Sequence, residues 1–289
     1  MKYNIMKTNI LSTTMQHCTK RIPMGLVVAA AILLNYNAMA TPTTVDLGTA
    51  SNFAVLAGAG ITVAGAVNST TITGDIGTYP TPSVTGLGNV VLNGVNQVAD
   101  SGLMLSAQNN LTTAFNTAAG APVTTYYPAI CDLGGLTLMA GVYNDPTSFG
   151  LTGTVTLDAQ GNPDAVFIIQ AGSTLITASG SSVVLINGAQ AGNVFWVVGS
   201  SATLGTATDF LGNILADQSI TLDTGATLTG RLLAANGAVT LDNNTITLPV
   251  SNVPSVPDAG GTLLLLGFGM ATLFAFKSLL RGKALAVNA

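Results

Sequence analysis

The phrase Ile220-Thr-Leu-Asp223 returns as Val239-Thr-Leu-Asp242, nineteen residues further along. Longer phrases return with it: Trp196 to Leu204, Ile214 to Leu222 and Leu232 to Leu241 begin about 18 residues apart, and Phe167 to Leu175 precedes them after a longer spacer. A period near 20, made of short β-type phrases separated by glycine or asparagine, leaves few folds open. No single repeat can bury a core, so successive coils must stack and share one. The expectation is a mainly β chain, a β-solenoid.

Each coil reads as three strands of different character. The first is apolar throughout, as in Val194-Phe-Trp-Val-Val198 and Leu232-Leu233, so both of its sides must be covered. The second alternates. Ile220 and Leu222 point inward while Ser219, Thr221 and Asp223 point outward; Val239 and Leu241 are in, with Ala238, Thr240 and Asp242 out; Ala202 and Leu204 are in, with Ser201 and Thr203 out. The third also alternates, with Leu228 between Thr227 and Thr229, and Ile246 between Thr245 and Thr247. Two faces therefore meet water.

One segment breaks the pattern. From about Val98 to Ala119, apolar residues Ala99, Leu103, Ala107, Leu111, Ala114 or Phe115, and Ala118 recur every three or four positions, and Gly120 and Pro122 follow. This is an amphipathic helix with a narrow apolar stripe, ended by a glycine cap. It is expected to lie along the stack and cover the apolar strands. Ahead of it, Phe53 to Val63 and Thr70 to Gly77 repeat the coil phrases, so this N-terminal segment must pack against coils formed later in the chain.

The two ends read as export signals. Lys2, Lys7, Lys20 and Arg21 precede an apolar run from Ile22 to Leu34 and then Ala38-Met-Ala40. That order is a secretory signal, cut after Ala40 by signal peptidase. At the other end a proline-spaced linker leads to an apolar run, Leu263 to Phe276, and a basic cluster of Lys277, Arg281 and Lys283, the arrangement of a membrane stop. With Val256-Pro-Asp258 ahead of it, residues 251–289 resemble a PEP-CTERM sorting signal in its Val-Pro-Asp variant. The resemblance implies an exosortase-like processing enzyme and a secreted or cell-surface destination in a bacterium.

Between these ends, residues 41–250 hold eleven aspartates, one arginine (Arg231), and no lysine, histidine or glutamate. Nucleic acid is excluded as a partner, because phosphate binding depends on Lys and Arg. Carbohydrate-cleaving solenoids are disfavoured for a related reason: their chemistry needs an acid and base of suitable pKa, often beside a cation. No enzyme activity, cofactor or metal is expected. Asp223 and Asp242 read as turn residues closing equivalent strands, and Asp158 to Asp164 as a plain loop. Cys18 falls in the leader, so Cys131 is expected to be a small buried residue without an intramolecular partner.

Threonine is what remains: 33 of those 210 residues, many at outward positions of strands. Stacked coils set equivalent side chains about 4.8 Å apart, and i, i+2 neighbours along a strand nearly 7 Å apart. A regular lattice of methyls and hydroxyls suits a repetitive solid, and ice has oxygen spacings in that range.

A resemblance supports this. Leu47-Gly-Thr-Ala-Ser-Asn-Phe-Ala-Val55, Ile72-Thr-Gly-Asp-Ile-Gly77, Leu136 to Tyr143, Val166-Phe-Ile-Ile-Gln170, Gly192-Asn-Val-Phe-Trp196 and Thr224 to Leu233 resemble, in that order, the ice-binding proteins of the DUF3494 family. The resemblance implies a right-handed β-helix of triangular section with a long helix alongside, a monomer whose partner is the ice crystal surface. It places the binding face on the second strands: Ala59, Thr62, Ser201, Thr203, Ser219, Thr221, Ala238 and Thr240. The third strands, with Thr71, Thr73, Thr227, Thr229, Thr245 and Thr247, are the alternative face. The chain departs from strongly binding relatives at Gly237, where threonine is common. A surface adhesin or matrix protein using the same face on polysaccharide or other cells is the alternative function.

Overall fold

The computed structural model describes residues 42–128 and 130–249. The expected leader over 1–40 and the expected sorting tail over 251–289 lie outside the described residues.

Every strand pairing is parallel, and the strands form three faces, here A, B and C. Face B is an eight-stranded sheet in the order Val84–Thr85, Gly60–Ala64, Ala238–Asp242, Ile220–Leu222, Ala202–Leu204, Leu175–Thr177, Phe149–Leu151, Cys131–Asp132. Faces A and C run into one another through two long strands, Asp209–Ala216 and Thr227–Ala234, which turn the corner at Gly212 and Gly230. Gly212 has φ +116, and a Cβ on Gly230 would lie 1.8 Å from the Gly212 carbonyl oxygen. Only glycine lets two coils come so close at this corner.

The order of coils in space is not the order in sequence. The chain builds two coils over residues 53–93, crosses by its helix, and builds six more, the last of which docks on the first. Val55, Leu56 and Ala57 pair with Leu232, Leu233 and Ala234 on face A. Ile61 pairs with Val239 on face B and Ile72 with Ile246 on face C. The N-terminal phrases thus pack against later coils, as their wording predicts.

Face A is buried on both sides, and alternation along its strands explains how. Val55, Ile169, Trp196, Ile214 and Leu232 join the interior of the solenoid. Their neighbours Leu56, Ile168, Phe195, Leu215 and Leu233 join a second core with Met104, Ala107, Leu111, Ala114 and Ala118 of the helix Ser101–Ala119. On faces B and C, by contrast, only the inward residues are covered, as in the buried, intermediate, buried pattern of Ile220–Leu222.

The helix differs from its sequence reading at both ends. It starts at Ser101, not Val98, because the Asp100 carboxylate accepts the Leu103 N–H at 2.9 Å and sets the first turn there. Ala99 is left outside and exposed, Leu103 is only half-buried, and Met104 takes the core position. At the C-terminus Gly120 has φ −84, a right-handed conformation, so it is no left-handed cap. The last carbonyls are taken instead by Gln170 of face A, whose Nε2 donates to Ala118 O at 2.8 Å and to Ala119 O and Ala121 O at 3.2 Å. Gln170 itself is buried and accepts from Asn144 Nδ2 at 3.1 Å. Gln170→Leu removes all three bonds and leaves the carbonyl of buried Ala118 with the long bond from Ala121 N at 3.3 Å, at a cost of about 1–3 kcal/mol. The expected result is a lower melting temperature, with helical circular dichroism lost ahead of the β signal.

Candidate functional site

Face B is built outward from its register. Inward positions are buried and, Thr177 apart, apolar, so each outward residue from Thr62 to Asp132 is held between two buried neighbours, while Thr85, at the edge of the sheet, stands beside the half-buried Val84. The central outward column reads Thr85, Thr62, Thr240, Thr221, Thr203, Ile176, Gly150, Asp132 along the stack. Five successive coils thus present threonine, at a spacing of about 4.8 Å. Thr203, Thr221 and Thr240 have no side-chain hydrogen bond among the described residues, leaving their hydroxyls to the surrounding phase. Thr85 Oγ1 donates to Thr62 Oγ1 at 3.3 Å.

A second column runs beside the first: Ser83, Gly60, Ala238, Ser219, Ser201, Thr174, Ser148. Its hydroxyls are engaged by the scaffold. Ser201 Oγ accepts the Ser219 N–H, and Ser219 Oγ accepts the Ala238 N–H, each at 3.3 Å. This column contributes small, low-lying side chains, and the first contributes the free hydroxyls of Thr203, Thr221 and Thr240.

Of the sequence-predicted residues, Thr62, Ser201, Thr203, Ser219, Thr221, Ala238 and Thr240 therefore share one face. Ala59 does not align with them. It precedes the strand, and Gly60 is the residue opposite Ala238. Because Ile61 and Val63 point inward, the outward position two before Thr62 is 60, a parity that the Gly-Ala-Gly run conceals. Thr85 escaped the sequence reading because its strand, Val84–Thr85, is two residues long. The available signal was Val84 beside a threonine one coil after Thr62.

Asp223 and Asp242 fall one further outward step along, past Leu222 and Leu241, at the corner. They border the face and do not interrupt it. The Asp242 carboxylate accepts from Thr224 Oγ1, and its N–H donates to Asn244 Oδ1 at 2.6 Å. The fully buried Asn244 also donates to Asp223 O at 2.9 Å and to Ala226 O at 3.1 Å, tying this corner across two coils.

Gly237 has a structural cause. A Cβ there would lie 2.4 Å from the Gln218 carbonyl carbon and 2.5 Å from Ser219 N, both backbone atoms. A threonine at this position must push apart two coils of face B, at a cost of about 1–3 kcal/mol. Gly237→Thr is expected to lower the melting temperature and to give no gain at the face, read by thermal denaturation beside an ice-growth assay.

Face C gathers the alternative set: Thr73, Thr247 and Thr229 in one column, Thr71, Thr245 and Thr227 in the other. The patch is three coils long. It is closed by Asn93 and Val91 on one side and by Leu211 and Asp209 on the other. The Asp209 carboxylate accepts from Thr227 Oγ1 at 2.8 Å, so a charge stands at the end of the threonine column and occupies one of its hydroxyls. Across the five threonine coils of face B, neither column holds a charge.

The other chemistry-bearing residues serve the scaffold. Arg231 is buried, donating from Nε to Ser51 O at 2.9 Å and from an Nη to Asn213 Oδ1 at 2.8 Å. Burial pulls its pKa down to about 10, which still leaves it charged at neutral pH. In the loop after Thr154–Asp158, the Asp158 carboxylate accepts from Gln160 N and Asn187 Nδ2, both at 2.8 Å. Among the described residues no three His, Cys, Asp or Glu side chains are grouped as a metal site. Cys131 is buried as expected, but the expectation of an unpartnered thiol is corrected: it is not a free cysteine.

The sequence matches the Ice-binding-like family over residues 55–247. An ice-binding protein of Nostoc sp. is 45% identical over 241 residues, covering 81% of this chain and 87% of its own. One from Colwellia sp. is 34% identical over 252 residues, covering 83% and 97%. Among solved structures, the ice-binding protein of the Antarctic ascomycete Antarctomyces psychrotrophicus is 42% identical with a TM-score of 0.67, covering 72% of this chain and all of that one. An ice-binding protein from an Antarctic biological consortium, also 42% identical, has a TM-score of 0.68 and covers 80% and 97%. Both structural neighbours share this fold at an identity far above what fold alone requires. The chain belongs to the Ice-binding-like family.

Proposed function

We propose that this protein adsorbs to ice through face B and thereby inhibits ice growth and recrystallisation. The observation that carries this reading is the uncharged threonine ladder Thr85, Thr62, Thr240, Thr221, Thr203, flanked by the low column of Ser201, Ser219 and Ala238. Repeats of about 4.8 Å in one direction and about 6.6 Å in the other let methyls and hydroxyls order water in register with a crystal. The site works by spacing and not by catalysis, and needs no cofactor. A domain without histidine, lysine or glutamate supports that part of the reading. The adhesin alternative gains no support from the relatives, each named for ice binding.

The domain plan accompanies this proposal. Residues 1–40 act as a secretory signal removed by signal peptidase, and 41–250 form the ice-binding domain. Residues 251–289 act as a sorting and anchoring signal of PEP-CTERM type, read by an exosortase-like enzyme. The protein then works as a monomer, secreted or at the bacterial cell surface. Among the described residues no helix is long and apolar enough to cross a membrane; the run Leu263 to Phe276 lies outside them. Thermal hysteresis and recrystallisation assays on residues 41–250 test the function. Faceted, arrested crystals are expected, and ice growth like that in buffer would remove the proposal.

A further inference from the structure

The threonine ladder ends within face B, and one residue marks where. Its neighbour after Thr203 is Ile176, followed by Gly150 and Asp132. Ile176 is 55% exposed, although Leu175 and Thr177 beside it are buried. It has the same β-branched shape as threonine but carries an ethyl group where threonine carries its hydroxyl. That group stands one carbon higher than the ladder and can neither donate nor accept a hydrogen bond.

Beyond Ile176 the column offers no replacement. Gly150 has no side chain, and the Asp132 carboxylate accepts the N–H groups of Gly134 and Thr152, both at 2.9 Å. The neighbouring column does continue, through Thr174 and Ser148, whose hydroxyls bond each other at 2.8 Å. The coil holding Ile176 thus has half of the binding lattice.

We infer that Ile176 is the boundary of the ice-binding plane: it limits adsorption to the five coils from Thr85 to Thr203, and its side chain sets the size of the matched area. This rests on face B being the binding face.

The test uses the full chain with three substitutions, each read by thermal hysteresis at equal concentration and by melting temperature. Ile176→Thr adds a sixth coil to the ladder beside Thr174 and is expected to raise hysteresis by about the share of area added, a fifth or more. Ile176→Tyr, at the edge of the contact, disturbs only the neighbouring Thr203 and is expected to keep most of the activity. Thr221→Tyr, at the centre of the plane, is expected to abolish it. Unchanged or lower hysteresis in Ile176→Thr overturns the boundary, as does a loss in Ile176→Tyr as complete as that in Thr221→Tyr. In both cases an inactive Thr221→Tyr leaves the face B reading standing. An active Thr221→Tyr overturns both. Unchanged melting temperatures, expected at outward strand positions, separate surface effects from unfolding.

Discussion

Thr221→Tyr is expected to reduce thermal hysteresis to near the level of buffer while leaving the protein folded. Thr221 occupies the middle of the ladder, paired with Thr203 on one side and Thr240 on the other. A phenol ring there rises well above side chains spaced about 4.8 Å apart. It lifts the ice surface off both neighbours and off Ser219 and Ser201 beside them. Adsorption depends on many weak contacts made together, so losing register across three coils removes most of it. The residue's own neighbours in the strand, Ile220 and Leu222, are buried and untouched. Thr229→Tyr makes the same change on face C and is expected to keep hysteresis near that of the unaltered protein. Circular dichroism and melting temperature should match in all three proteins.

The second large effect is on stability. Leu111 lies in the middle of the helix at 0% exposure, in the core shared with Ile168, Phe195, Val197 and Leu215 of face A. Leu111→Ala opens a cavity between helix and sheet at a cost of about 2–5 kcal/mol. For a domain of this size, each kcal/mol shifts the midpoint by about 2–4 °C. A fall of about 5–15 °C in melting temperature is therefore expected. Near 0 °C the folded fraction stays high and face B is unaltered, so hysteresis should be retained. Thr221→Tyr and Leu111→Ala then separate function from stability in opposite directions. Loss of hysteresis in a folded Leu111→Ala protein would mean that the helix takes part in binding.

Much of this arrangement was legible in the sequence because a solenoid writes its geometry in short range. The recurrence of Ile214 to Leu222 as Leu232 to Leu241 predicts stacked coils, and the alternation around Thr221 and Thr229 predicts two wetted faces. Apolar strands such as Val194–Val198 predict a cover, which the helix Ser101–Ala119 supplies. The misses share a cause: they depend on contacts between coils. Ala59 is the residue the family resemblance implies, whereas the pairing with Ala238 selects Gly60. Gly237 looked like a missing threonine until the backbone of Gln218 and Ser219 was seen to occupy its Cβ position. Gly120 looked like a helix cap, yet a glutamine fifty residues later, Gln170, makes those bonds. Thr85 sits in a strand too short to form a phrase, although it extends the ladder by a coil.

The central claim is that the threonine ladder of face B is what meets ice. Partition into slowly grown ice tests it directly: solutions of the unaltered protein, Thr221→Tyr and Thr229→Tyr are frozen in part, and the protein in each ice fraction is measured. The unaltered protein and Thr229→Tyr are predicted to be enriched in the ice, and Thr221→Tyr to be left in the liquid. Exclusion of Thr229→Tyr with inclusion of Thr221→Tyr would place binding on face C and contradict the claim.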